Sequence, residues 1–243
     1  GWMVYFDLLN NLFKKHPVRY PIAGDLESIK NITVDNLYTF YNTFYHPGNM
    51  VLFVTGDLVQ NQVIELIKEN QSSKSFKKDY DVTKIYPEEP MKINNSKSIQ
   101  KMSVSRPIYT IGFKETNLQN NSYNIIKQEI AYNMMLEVII GDGSDNYRNL
   151  YDEGYIDNSF LFNYRIEEDY GYLYLYCETE EPEVLHDKIK EKLQNCDRFL
   201  TEENMNRIKQ KYIGEFIRGF NKFNLIASEF VSYYFRGIDL FQG

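Results

Sequence analysis

The order of helical and strand-like segments after residue 98 constrains the fold of this chain more than any other feature. Strand character is found in residues 102–113, 158–165 and 170–178. Helical character is found in residues 122–140, 145–153, 183–194, a long segment after Thr201, and 223–235. One strand, two helices, two adjacent strands and then more helices is an order typical of α+β domains, because α/β sheets alternate strands and helices regularly. The sequence therefore predicts an α+β fold with a mixed sheet flanked by helices.

An apolar run of strand length lies within the first part of the chain. Met50–Val54 is continuously apolar and is soon followed by Gly56, which predicts a central strand buried on both faces. Before it, Thr33 can cap a helix with one apolar stripe, which we expect to be buried. The stripe consists of Leu37, Phe40, Tyr41 and Phe44. A further helix is predicted around residues 63–67, so residues 1–70 have the order helix, buried strand, helix.

The segment between these two parts has the composition of a linker. Residues 71–97 are polar and mixed in charge, contain Pro87 and Pro90, and show neither helical nor strand periodicity. The sequence therefore predicts a first unit over residues 1–70, a linker over residues 71–97 and a second unit over residues 98–243.

Charge and composition argue against several classes of function. The formal net charge of −7 and the scattered Lys and Arg residues argue against a nucleic-acid surface. No apolar run, Met50–Val54 included, is long enough to span a membrane. Cys177 and Cys196 form neither a disulfide framework nor a zinc ribbon, so we expect a cytoplasmic location. The chain begins without an initiator methionine or a signal peptide, and we expect this start to lie inside a longer polypeptide.

The three histidines do not have the spacing of a zinc site. Catalytic zinc often uses two histidines one helical turn apart with a glutamate between them. His16, His46 and His186 are far apart in the sequence, and the first two precede proline, which disfavours a helix at those positions. We therefore expect no metal ligands in this chain.

Other reactive residues are explained better by structure than by catalysis. Cys177 lies in a strand pattern and is expected to be a small core residue. Residues 142–145 resemble half of a calcium loop but lack its terminal glutamate, which favours a turn. The acidic pair Glu88-Glu89 is expected in a solvated turn. No catalytic residue is predicted.

A set of short motifs follows in a fixed order through residues 1–58. Its members are His16-Pro17, Pro21, Gly24, Glu27-Ser28-Ile29, Ile32-Thr33, Tyr45, Pro47, Asn49-Met50 and Gly56-Asp57. In this order they resemble the insulinase/pitrilysin family of zinc metallopeptidases, and most of all its bacterial, mostly Firmicute branch. The segments YPEEP, SRPIYTIGFK, GSDNYRNLYDEGYIDNSF and IGEFIRGFN extend the resemblance over nearly the whole chain.

The resemblance implies the domain plan and the cofactor of a zinc endopeptidase. In the family, the zinc motif HxxEH and a further glutamate ligand lie upstream of the histidine–proline loop, so zinc is expected in the parent protein and not in this chain. Residues 1–70 would be the C-terminal part of a first peptidase-like domain. Residues 98–243 would be a second such domain, truncated at its C terminus. The parent would hold a peptide between the two domains, where a zinc-bound water attacks the peptide bond.

A pair of substrate-binding residues is implied by the same resemblance. The family's second domain often carries an arginine and, seven positions later, a tyrosine that hold the substrate backbone near the scissile carbonyl. Arg148 and Tyr155 have this spacing. A guanidinium and a phenol are both hydrogen-bond donors, and such donors stabilise a developing oxyanion.

Two alternatives to this assignment are open. If Gly154 is matched to the family's glycine, Tyr151 and Asn158 occupy the two positions instead. In a purely structural interpretation, Arg148 pairs with Asp152 on a short helix, and the tyrosine simply leads into the next strand.

Two functions are consistent with these features. In the first, the chain is the portion of a zinc-dependent endopeptidase that binds and encloses peptide substrates, and it is inactive alone. In the second, it belongs to a non-catalytic partner subunit or interaction homologue of the same family. The expected partners are a peptide substrate and, in a homodimer or heterodimer, a related peptidase-like subunit.

Overall fold

The computed structural model describes residues 1–76 and 82–241. These residues form helices and one small sheet. The helices are α1 (Trp2–Leu12), α2 (Leu26–Lys30), α3 (Val34–Phe44), α4 (Gln60–Ser72), α5 (Ser122–Ile140), α6 (Asp145–Asp152), α7 (Pro182–Gln194), α8 (Glu202–Gly219) and α9 (Phe223–Phe235). The strands are β1 (Ile108–Lys114), β2 (Leu161–Ile166) and β3 (Gly171–Glu178). Single 3-10 turns cover Pro17–Arg19, Pro47–Asn49 and Cys196–Arg198. The predicted α+β class is confirmed.

Local capping residues explain where several helices begin. The hydroxyl of Thr33 accepts the N–H of Asn36, whose side chain in turn accepts the N–H of Thr33, so both ends of a capping box are present at α3. The side chain of Asn121 caps α5, and that of Ser144 caps α6. These side chains accept hydrogen bonds from backbone N–H groups that have no partner within the helix.

The chain divides into two compact units. We call residues 1–22 and 86–215 the sheet unit, and residues 23–85 and 216–243 the helical unit. These units are interleaved along the chain, whereas the predicted domains were consecutive. The predicted domain division at residues 71–97 stays a prediction. The described part of that segment, residues 71–76 and 82–97, holds no helix or strand after α4, and residues 77–81 lie outside the described residues.

The sheet has the strand order β1-β3-β2, with β3 in the centre. A mixed sheet was expected, but both pairings are antiparallel. One face of β3 presents Leu173, Leu175 and Cys177 to a core that includes residues of α5 and α7. Cys177 is fully buried there, as predicted, and burial raises the pKa of its thiol.

The opposite face of the sheet is covered by α1. Leu8, Leu9 and Leu12 of α1 form a second apolar cluster with Tyr172 of β3. Gly112 of β1 makes this close packing possible, because a Cβ atom at that position would lie 2.9 Å from a methyl carbon of Leu8. The sheet is therefore covered by helices on both faces.

Two expectations for the helical unit are wrong. Met50–Val54 does not form a strand, because in the described residues no neighbouring strand pairs with it. The stripe of α3 is not buried either, since Leu37, Phe40 and Phe44 are 40–61% exposed. None of the described residues of the helical unit is buried. The periodicity of α3 is that of a buried helix, but no other described residue of the helical unit buries its apolar face.

Candidate functional site

Arg148 lies on the exposed face of α6. The side chain of Ser144 caps this helix, and Leu150 anchors its other face in the core. The guanidinium Nη1 of Arg148 lies 3.4 Å from Oδ1 of Asp145, and the arginine side chain is 67% exposed. The structural interpretation expected Asp152 as the partner, so the partner differs. Because this ion pair is long and exposed, most of the guanidinium N–H donors face solvent, where a peptide carbonyl can reach them.

Tyr155 follows the end of α6 and is held by both backbone and side-chain contacts. Gly154 has φ +79°, in the left-handed region that commonly ends helices, and the N–H of Tyr155 donates to the carbonyl of Leu150 at 2.9 Å. The tyrosine ring packs against the core, and Nζ of Lys188 lies 4.6 Å from its centroid. Among the described residues, the phenol hydroxyl has no hydrogen-bond partner. The ring is thus fixed while its donor is available.

The candidate pair therefore flanks the C-terminal half of α6. In the described part of the chain, no hydrogen bond joins Arg148 to Tyr155. The alternative pair is also accessible: Tyr151 is exposed and stacks on Tyr147 with 6.1 Å between the ring centroids, and Asn158 is exposed before β2. Both pairs can offer side-chain hydrogen-bond donors to an extended backbone.

A buried ionic cluster lies at the C-terminal end of α1, which the sequence analysis missed. Glu89 was expected in a solvated turn, but its side chain is 7% exposed and pairs with Lys114, which is 6% exposed. The Glu89 carboxylate also accepts three backbone N–H groups at 2.7–2.8 Å. These groups belong to Lys14, Lys15 and His16. Burial raises the pKa of Glu89, but the Lys114 ammonium and the three N–H donors outweigh it and lower the pKa to about 2.

His16 is part of the same region and is fully engaged by protein groups. Its Nδ1 accepts the N–H of Val18 at 3.1 Å, so Nε2 carries the proton and donates to Asp169 Oδ2 at 3.0 Å. Its ring stacks on Tyr86 with 5.3 Å between the centroids. These contacts fix the loop that follows α1.

A cavity of 460 Å³ lies beside this cluster. Most of its charged groups have protein partners: Lys114 pairs with Glu89, Asp169 accepts from His16, and Glu115 accepts from the hydroxyl of Tyr164, whereas Glu88 is exposed. Because these charges are already neutralised or hydrogen-bonded, the cavity offers few polar groups to a ligand. We do not regard it as the candidate site.

The described residues do not fit a zinc ion. His46 accepts the N–H of Gly48, and His186 Nδ1 lies 3.0 Å from the hydroxyl of Tyr109. Within residues 1–76 and 82–241, no three side chains of His, Cys, Asp or Glu come together as metal ligands. No step of a zinc mechanism can be derived from these residues.

Comparison with known proteins decides the family. The family model for the peptidase M16 inactive domain matches residues 31–212, which is most of the chain. The chain belongs to peptidase family M16. This is the insulinase-type family that the motifs of residues 1–58 predicted, and the prediction is confirmed.

Similar M16 proteins match over nearly the full length of this chain. The uncharacterized zinc protease YmfH of Bacillus subtilis (strain 168) is 34% identical over 241 residues, which cover 99% of this chain and 56% of YmfH. The crystal structure of an M16-like peptidase from Alicyclobacillus acidocaldarius matches with a TM-score of 0.90 and 34% identity, over 96% of this chain and 55% of that one. A protease structure from Helicobacter pylori matches with a TM-score of 0.82 at 20% identity, over 96% of this chain and 56% of that one, which shows the fold alone.

The M16 chain thus spans about half the length of the curated relatives it matches. No helix among its described residues combines the length and the apolar character needed to cross a lipid bilayer.

Proposed function

We propose that this M16 chain is the portion of a zinc-dependent endopeptidase that binds and encloses peptide substrates without holding the metal. The observation that carries the proposal is the match to YmfH, a protein named as a zinc protease, at 34% identity over 99% of this chain. The positions of the histidines support the proposal that this chain does not hold the metal. The three histidine side chains lie apart among the described residues, and each makes a hydrogen bond to another protein group.

The domain plan and the location form part of the same proposal. Residues 1–70 would complete a first peptidase-like domain whose zinc ligands lie outside this chain, and residues 98–243 would be the second domain. The protein would act in the cytoplasm on peptide substrates. Two free thiols, those of Cys177 and Cys196, are compatible with a reducing compartment.

Arg148 and Tyr155 are the proposed substrate-binding residues. The support is their availability: the guanidinium is largely solvated, and the phenol hydroxyl has no protein partner among the described residues. Each would donate a hydrogen bond to a carbonyl oxygen of an extended peptide. Loss of one such bond costs about 0.5–3 kcal/mol of binding free energy, the larger values applying to the charged donor.

Peptide binding by the purified chain tests this proposal. A fluorescently labelled, unstructured peptide should bind, as measured by anisotropy. Arg148→Ala should weaken binding about 10-fold, and Tyr155→Phe about 3-fold. Arg198→Ala and Tyr123→Phe are matched controls, because both side chains are exposed elsewhere on the sheet unit. If Tyr151→Phe weakens binding and Tyr155→Phe does not, the alternative alignment is right.

Catalysis is tested separately with a quenched fluorogenic peptide. We expect no cleavage by this chain, with or without added zinc. Cleavage that a chelator abolishes would overturn the proposal, because it would require a complete metal site within residues 1–243.

The second candidate function is a non-catalytic partner subunit. The name of the matching family model, an inactive domain, favours it. The discriminating measurement is the zinc content of the natural gene product that contains this sequence, by mass spectrometry after dialysis. About one zinc per polypeptide would support the endopeptidase, and none would support the partner subunit.

A further inference from the structure

The turn at Gly154 separates the two proposed substrate-binding residues. Arg148 lies on α6, and Tyr155 follows directly after the glycine. Gly154 has φ +79°, and a Cβ atom built on it would have no neighbour within 4 Å, so other parts of the chain do not pack against the glycine itself. The N–H of Tyr155 donates to the carbonyl of Leu150 at 2.9 Å, which fixes the backbone after the turn but not the tyrosine side chain. Contacts of the ring therefore decide where the phenol hydroxyl lies.

One side chain from α7 contacts both residues that flank this turn. Nζ of Lys188 donates a hydrogen bond to Oε2 of Glu153 at 2.8 Å, and it lies 4.6 Å from the centroid of the Tyr155 ring. A cation within about 6 Å of a ring centroid is attracted by the negative face of the ring. The hydrogen bond to Glu153 raises the pKa of Lys188, so its amine stays a cation. A single ammonium group thus connects the residue before Gly154 with the residue after it.

The helix that carries Lys188 is anchored in the core independently of α6. Leu185 and Ile189, which lie on either side of Lys188 in α7, are fully buried in the core of the sheet unit. The backbone position of Lys188 is therefore set by core packing, and its ammonium reaches the turn from a fixed helix. The ring of Tyr155 packs against the same core, so the core and the ammonium both restrain it.

The exposure of Lys188 favours a role in holding Tyr155 over direct contact with a peptide. Its side chain is 32% exposed, whereas that of Arg148 is 67% exposed. A cation–π contact and an ion pair that are partly exposed each contribute little to the stability of the fold. A tyrosine side chain turns about only two torsion angles, so even contacts of this strength shift the population of its ring orientations.

We propose that Lys188 is a positioning residue of the peptide-binding site. By holding Glu153 and the Tyr155 ring on the two sides of Gly154, its ammonium keeps the phenol hydroxyl where it donates to a peptide carbonyl. Less side-chain entropy of Tyr155 is then lost on binding, so the hydrogen bond contributes more to the affinity. The inference rests on the proposed function, and it adds a residue that does not itself touch the peptide.

Peptide affinities of Lys188 variants of the full chain test the proposal. Lys188→Met keeps an unbranched side chain but removes the charge, and it should weaken binding of the labelled peptide about 3-fold, as Tyr155→Phe does. Lys188→Arg should keep the affinity within about 2-fold of the unaltered chain, because a guanidinium also pairs with a carboxylate and stacks on an aromatic ring. Lys190→Met is the matched control, since Lys190 is exposed on the same helix.

A double-mutant cycle separates positioning from direct peptide contact. If Lys188 acts through Tyr155, Lys188→Met should weaken binding no further once Tyr155→Phe has removed the hydroxyl. Two independent contacts with the peptide would instead multiply to a loss of about 10-fold. That multiplied loss would overturn the positioning role, as would an unchanged affinity of Lys188→Met.

Nuclear magnetic resonance detects the contact without any peptide. The ε-methylene protons of Lys188 should resonate upfield, because the end of this side chain lies over the face of the Tyr155 ring. The upfield shift should vanish in Tyr155→Leu, and its absence from the unaltered chain would overturn the proposal. Circular dichroism should show the same helix content in Lys188→Met, so that a loss of affinity is not a loss of fold.

The result for Tyr155→Phe distinguishes failure of this inference from failure of the proposed function. If Tyr155→Phe weakens binding and Lys188→Met does not, only the positioning role is wrong. If neither Tyr155→Phe nor Arg148→Ala weakens binding, or if no peptide binds, the proposed substrate-binding residues are wrong and the positioning role is overturned with them.

Discussion

At the scale of single residues, the carboxylate of Glu89 binds the backbone N–H groups of the turn that follows α1. After the end of α1, three successive backbone N–H groups converge on one position. A concave set of donors of this kind binds an anion. Glu89 supplies the anion, and Lys114 balances its charge. Its neighbour Glu88 is exposed and makes no comparable contacts. A buried carboxylate with four donors is expected to stabilise the folded state.

Glu89→Gln should therefore destabilise the chain in a pH-dependent way. The pKa of Glu89 is lowered from 4.5 to about 2, so its contribution is fully present above about pH 4.5 and is lost as the pH falls towards 2. A shift of this size corresponds to about 3 kcal/mol of unfolding free energy. Urea unfolding from pH 7 down to pH 2 should show a difference between the chain and Glu89→Gln that shrinks with acid.

Glu88→Gln is the matched control and should change the unfolding free energy little at any pH, because Glu88 is exposed. A Glu89→Gln difference that stays constant between pH 7 and pH 2 would contradict the assigned role of the carboxylate.

At the scale of elements, the two edge strands of the small sheet differ in whether their outward backbone groups have hydrogen-bond partners. The edge of β2 is closed by Asn133, a polar residue in the middle of α5, whose amide binds both outward groups of Tyr164. This arrangement holds α5 in register with β2 and removes a free strand edge. The outward backbone groups of Ile108, Thr110 and Gly112 in β1 have no such partner among the described residues.

Asn133→Ala should loosen the contact between α5 and β2. It leaves the N–H and C=O of Tyr164, a buried residue, without side-chain partners, which should lower the unfolding free energy by about 1–3 kcal/mol. Amide exchange at Tyr164 should speed up as well. Asn124→Ala on the same helix is the control, since this side chain is exposed. Equal destabilisation by the two variants would show that helix propensity, and not the edge contact, is responsible.

At the scale of the whole molecule, burial is distributed unequally between the two units. All the buried residues that the structure describes belong to the sheet unit, and the helical unit has none. Helices of the length of α3 are marginal in water without tertiary packing. The stability of the helical unit should therefore depend on groups outside its own described residues that cover its apolar side chains.

Hydrogen exchange measured by mass spectrometry should reveal this inequality. At low protein concentration, amides of α3 should exchange about 100-fold faster or more than those of α5, because opening α3 breaks little apolar packing. Equal protection of α3 and α5 would show that the helical unit is stable by itself.

The sequence alone determined the local features of this protein. The capping residue Thr33 predicted the start of α3, because the group that it binds lies within three residues of it. The family was predictable because its motifs are short and ordered. The end of α6 was predictable too, since Gly154 adopts a left-handed conformation after the helix and Tyr155 follows it directly.

Tertiary structure alone decided which of these side chains are buried and which side chains and strands have partners. Leu37 has the periodicity of a core residue and Met50–Val54 the composition of a central strand, yet Leu37 is exposed and no strand among the described residues pairs with Met50–Val54. Glu89 is buried and Glu88 is not, because Lys114 lies 25 residues away in sequence but beside Glu89 in space. The contact of Lys188 with Tyr155 was equally invisible. Caps and periodicity act within a turn or two of chain, whereas burial and strand pairing depend on groups that only folding or association brings near.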